Sequence, residues 1–198
     1  MLCKNAAVAS VALCSLVVLQ AAAPSGQPKK ARLDKNEAKA AFEYLNRVRK
    51  DPPSFSKEIG ADLKDVKAMP ALKWNATLAK VAEQKALDMA KRNYFGHLNP
   101  EGLGINILMH EAGYKLPKYM LENKKANNFE SLGGGLPNGK ETIRRLILDK
   151  GVENIGHRKH LLGIDTFEAQ HKNVGIGFAR NPKSQWKTYI CVIIAHQP

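Results

Sequence analysis

The sequence predicts an α+β fold in which helices pack on a small antiparallel sheet. Two observations carry this. Apolar residues recur at helical spacing in several stretches between Ala38 and Leu148. The C-terminal third then changes character: Asn173–Ala179 alternates with period two, and Thr188–Ala195 is a β-rich apolar run, with the turn signal Asn181-Pro182-Lys183-Ser184 between them. Helices first and a hairpin later is the order of a sheet covered by helices.

The elements follow in order. Lys4, the apolar run Ala6–Leu19 and Ala21-Ala22-Ala23 read as a secretory leader over residues 1–23. The run is too short and alanine-rich for a membrane span. Pro24 is unfavourable immediately after a cut at Ala23, so cleavage nearby and retention as an anchor both stay open. Cys14 follows Leu13 rather than a small residue, which argues against lipidation. Residues 24–35 are expected to form a basic flexible linker, and 36–198 the folded domain.

Ala38, Ala41, Phe42, Leu45 and Val48 share one helical face, which Asp51-Pro52-Pro53 terminates. Phe55, Ile59, Leu63 and Val66 suit a second, short amphipathic helix. A loop over Pro70–Trp74 should drop Leu72 and Trp74 onto the core. Asn75 then caps a strong helix whose stripe is Leu78, Val81, Ala82, Ala86, Met89 and Ala90. Gly104–Ala112 reads as a further helix ended by Gly113, and Glu141–Leu148 as another, with Ile143, Leu146 and Ile147 inward. Residues 115–139 show little periodicity and read as a long loop, of the kind that is functional or mobile. His157–Leu162 suits a single helical turn.

The formal charge is +13, from 31 Lys and Arg against 18 Asp and Glu. The lysines are spread along the chain, as on a solvated surface, with attraction to an anionic envelope as the alternative. No basic motif interleaved with aromatics points to nucleic acid. Cys3 and Cys14 fall in the leader, so Cys191 is alone in the mature chain and reads as a small hydrophobe on a core strand.

Chemistry concentrates in two segments. Asn93-Tyr94-Phe95-Gly96-His97-Leu98-Asn99-Pro100-Glu101-Gly102 and Gly156-His157-Arg158-Lys159-His160-Leu161-Leu162 each place a histidine just after a glycine. Glu130, beside Gly133-Gly134-Gly135, and Asp149 lie between them. Two imidazoles and two carboxylates together would make a polar, metal-capable pocket. His157 and His160 could share one side of a helical turn. His160 reads as a surface or supporting residue, and His110, His171 and His196 carry no motif. The chain has no serine with a matched base in its sequence and no zincin motif.

These segments, with Leu45-Asn46-Arg47-Val48-Arg49, Leu72-Lys73-Trp74-Asn75-Ala76-Thr77-Leu78 and Val174-Gly175-Ile176-Gly177, resemble the CAP superfamily of cysteine-rich secretory, antigen 5 and pathogenesis-related proteins, in its bacterial (SCP-like) form. The resemblance runs from about Ala38 to Ala195. It implies an α-β-α sandwich whose cleft holds two histidines and two acids. By motif these are His97, Glu130 and His157, with Asp149 as the second acid and Glu153 as its rival. It implies secretion, into the medium, the periplasm or the envelope, and a divalent cation such as Zn2+ at His97 and His157, with Glu130, Asp149 and His160 as further candidate ligands. The ligand class (lipid, glycan or protein) stays open. The resemblance supplies no common reaction, so binding is expected before catalysis, with a metal-assisted hydrolase of an envelope or peptide substrate, or a lipid or sterol binder, as the alternatives.

Overall fold

The computed structural model describes residues 30–196. The leader, Cys3, Cys14 and most of the linker lie outside these residues. Within them, the stretch expected as linker already carries structure: Arg32–Leu33 is a short strand, β1, and Asp34 caps the first helix.

That helix, α1 (Lys35–Lys50), has acidic Glu37 in its first turn and Arg47, Arg49 and Lys50 in its last, which complements the helix dipole. Pro52 and Pro53 follow and cannot continue it. The next helix, α2 (Ser56–Ile59), is a single turn after a 3-10 turn at Pro53–Phe55. It is shorter than the apolar spacing suggested, because Gly60 turns left-handed (φ 80°) and ends it. Leu63 and Val66 reach the core from irregular chain instead.

A two-residue strand, β2 (Lys73–Trp74), precedes α3 (Ala76–Arg92). The Asn75 side chain accepts from the Leu78 amide at 3.0 Å, as its place before the stripe predicts. Leu72 is buried, but Trp74 is not a core residue. It is exposed and packs edge-on against Phe42 at 5.3 Å between ring centroids. β2 is too short and too marginal in the sheet to bring a covering layer over that ring.

α4 (Ile105–Glu111) follows. Within the stretch expected as loop, Glu130–Gly134 forms strand β3. Its sequence, Glu-Ser-Leu-Gly-Gly, has no β-branched residue and ends in glycines, so local propensity gives no signal. Pairing with a later strand makes it. α5 (Gly139–Leu148) and α6 (Gly156–Leu162) come next, then the hairpin of β4 (Asn173–Arg180) and β5 (Thr188–Ala195).

The sheet order is β1-β4-β5-β3, with β2 also on β4. All pairings are antiparallel except β2–β4. Val174, Ile176, Phe178, Ile190, Val192 and Ile194 face one layer, built from α1, α2, α5 and α6. Cys191, Ile193 and Ala195 face the other, built from α3 and α4. This is the α-β-α sandwich. On the α3 side, Gly175 and Gly177 let the helix backbone touch the sheet: a Cβ on Gly177 would lie 2.2 Å from the Ala82 carbonyl oxygen.

Candidate functional site

His97 and His157 each meet a carboxylate. His97 lies in the loop after α3, which Asn93 turns by adopting a left-handed conformation (φ 55°). Its Nδ1 is 2.8 Å from Glu130 Oε2, and the Asn127 side-chain amide is 2.9 Å from the same nitrogen. Glu130 begins β3 on the α3 side of the sheet, and its side chain is 0% exposed. A buried carboxylate needs partners. Its other oxygen takes the Cys191 thiol at 3.3 Å. Burial, then the adjacent Glu130 charge, pushes the Cys191 thiol up, so it stays protonated and donates. Lys85, buried on α3, donates to the His97 carbonyl at 3.0 Å and pins the loop from below.

The second pair lies in the other layer. Asp149 ends α5 in a left-handed conformation (φ 48°), which turns the chain toward α6. Its side chain is 2% exposed. Oδ1 accepts from His157 Nδ1 at 2.7 Å, and Oδ2 accepts from the His157 and Arg158 amides at 3.0 and 3.3 Å, so Asp149 serves α6 as a cap. Glu153, its rival, is exposed and forms no such pair. The other end of α6 is held from α1: buried Arg49 donates to the Leu161 carbonyl at 2.7 Å.

The structure thus forms two carboxylate–imidazole pairs, one in each layer. It does not gather a tighter cluster: among the described residues no three His, Cys, Asp or Glu side chains group so as to hold one metal ion. Glu130 and Asp149 each spend their oxygens on their own histidine and on protein donors. What remains free for a metal is the Nε2 atom of each ring, with a carboxylate behind it fixing the ring's orientation.

Of the two readings of His160, surface or supporting, burial removes the first. The residue is buried on the sheet side of α6 rather than at the surface, with Nδ1 2.7 Å from Ser131 Oγ and Nε2 without a hydrogen-bond partner among the described residues. Burial lowers its pKa to about 4. It faces inward while His157 is partly exposed, so the two do not form one chelating face. Ser131 with His160 is a serine–imidazole contact that the sequence did not reveal, because the partners lie 29 residues apart. Both are buried, so the serine is not presented to a substrate. His171, also without a motif, is buried and paired with Glu168 at 3.0 Å.

The matched motifs, the sandwich and the paired histidines together point to one family, and its sequence profile, the cysteine-rich secretory protein family, matches residues 42–194. The chain belongs to the CAP family. No curated protein matches it by sequence. Two solved structures share the CAP fold seen here. One is an extracellular protein containing an SCP domain from Bacillus anthracis, 19% identical, with a TM-score of 0.50, covering 82% of this chain and 41% of that one. The other is an outer surface protein from Borrelia burgdorferi, 14% identical, with a TM-score of 0.54, covering 85% of this chain and 99% of that one. The chain thus spans under half of the Bacillus protein. Among the described residues no helix is long and apolar enough to cross a membrane.

Proposed function

We propose that this CAP protein works outside the cytoplasm as a binding protein, with a divalent transition metal taken by His97 and His157. The observation that carries this is the pairing. Each imidazole is partly exposed, and each has Nδ1 braced by a carboxylate that is 0% or 2% exposed. Burying two carboxylates is costly, and bracing imidazoles from behind is what metal-ligating histidines use. Glu130 and Asp149 are then supports of the rings rather than ligands. Imidazole nitrogen favours zinc or a similar transition ion over calcium. Solvent would complete the coordination, since only two protein nitrogens are offered. An extracellular setting is supported by family membership and by the two structural neighbours, one described as extracellular and one as an outer surface protein.

Calorimetry with zinc at neutral pH tests it. One-site binding is expected in the wild type, weakened at least a hundredfold by His97→Ala and equally by His157→Ala, and lost on acidification as protons compete for the ring nitrogens. A wild type that takes up no zinc, or a pair of mutants that bind as well as it does, removes the metal.

Lipid capture is a second reading, with one observation in its favour. A groove of about 550 Å³ between α1 and α3 is walled by Ala38, Phe42, Trp74 and Ala79, with Lys80 and the ion pairs Lys35–Glu83 and Lys39–Glu43 at its margin. None of its lining residues belongs to the 115–139 stretch. Titration with palmitate against Trp74→Ala separates this site from the metal site.

A further inference from the structure

The glycine run after Glu130 has a use that the histidine pairs do not need. A Cβ on Gly134 would sit 3.1 Å from the Phe95 ring, and one on Gly135 3.2 Å from the Trp186 ring. Gly135 also has φ +77°, which suits glycine. Both aromatic rings therefore rest on bare backbone. They pack against each other at 5.3 Å between centroids with planes tilted by 40°. Phe95 nevertheless stays 41% exposed and Trp186 39%. The loop that carries Trp186 is fixed: the Gln185 amide donates to Asn93 Oδ1 at 2.7 Å, and Lys187 is held at φ 61°. Two fixed, half-bare aromatic rings seated on glycines form a wall with no covering partner among the described residues.

That wall bounds a cleft of about 240 Å³, whose far side carries Arg145, Lys150 and His157. Asp149 also lines it, but both its oxygens are taken by the start of α6. Among the described residues neither Arg145 nor Lys150 has an ion-pair partner, and both are exposed. The free charge at the cleft is thus cationic, in keeping with the +13 of the chain.

We propose that this cleft binds the carboxylate-bearing ring of an acidic polysaccharide, a hexuronate unit, stacked on Trp186 and Phe95 with its carboxylate at Arg145 and Lys150. The C–H face of a pyranose is weakly positive and meets the negative face of an aromatic ring, while its carboxylate matches the arginine fork. The volume is below that of pockets for drug-sized ligands, so it suits one ring. The stacking requires no metal.

Trigalacturonate is the probe, titrated in EDTA so that the outcome is separate from that of the metal reading. The chain has two tryptophans, and Trp74→Phe leaves Trp186 as the reporter. Binding should shift Trp186 emission. Calorimetry should show affinity at least tenfold lower for Trp186→Ala, Arg145→Ala and the neutral methyl ester of the probe. Thermal melts check that the variants fold, and exposed Arg145 keeps the test valid if Trp186→Ala does not. The proposal is overturned by no binding of trigalacturonate, by equal affinity for the ester, or by equal binding in the folded variants.

Discussion

Asp149 does two jobs with one carboxylate: it caps α6 through the His157 and Arg158 amides and holds the His157 ring. The two are separable by substitution. Asp149→Ala should cost about 1 kcal/mol of stability through the lost cap, and tenfold or more in zinc affinity through the released ring. Asp149→Asn keeps an acceptor and tolerates the left-handed backbone, so urea unfolding should show a smaller stability loss while the zinc loss persists. Equal zinc affinity in both variants and the wild type would mean that the brace is idle.

His160 gives a pH prediction at the same scale. Its folded pKa, lowered to about 4 by burial, lies below the unfolded value near 6.5. Between these values the unfolded chain binds the extra proton, so stability falls as pH drops from about 6.5 to about 4, by at most about 1.4 kcal/mol per unit for this one group. Urea unfolding of His160→Gln across that range should show a shallower acid slope than the wild type. Parallel slopes would remove His160 from the acid response.

At the scale of elements, Val174-Gly175-Ile176-Gly177 is two patterns in one strand. The valine and isoleucine face the α1 layer, and the glycines face α3 at backbone contact. Gly177→Ala forces a methyl into the Ala82 carbonyl, where helix backbone cannot yield as a flexible side chain would. We expect a loss of about 2–3 kcal/mol in denaturant unfolding, with the same two-state form. An unchanged midpoint would show that α3 can move away from the sheet. The helices and the hairpin were legible because each announces itself within its own residues: a stripe, a cap such as Asn75, a proline stop at Pro52. β3 was not legible, since Glu130–Gly134 is a strand only by virtue of its register on Ile193–Tyr189. The site divides the same way. His97 and His157 stand out by local motif, and Asp149 by lying at a helix end. Lys85, Cys191, Phe95 and Trp186 did not, because a buried lysine, a lone cysteine and two aromatics acquire meaning only from neighbours far along the chain.

At the scale of the whole molecule, the two histidine–carboxylate pairs fall in different layers of the sandwich. His97 and Glu130 belong to the α3 side of the sheet, His157 and Asp149 to the α5–α6 side. A metal held by both imidazoles would therefore link the two helical layers on opposite faces of the sheet. Binding to the folded state alone stabilises it by about 2.7 kcal/mol when the free metal is 100 times its dissociation constant. For a domain of this size that is a rise of roughly 5–10 °C in Tm. Calorimetric melts with and without zinc should show this rise in the wild type. Because the link needs both ends, His97→Ala and His157→Ala should each abolish nearly all of it, not half. A rise halved in each single mutant would mean two independent one-histidine sites, one on each layer, and the shared-metal model would have to be abandoned even though zinc binds.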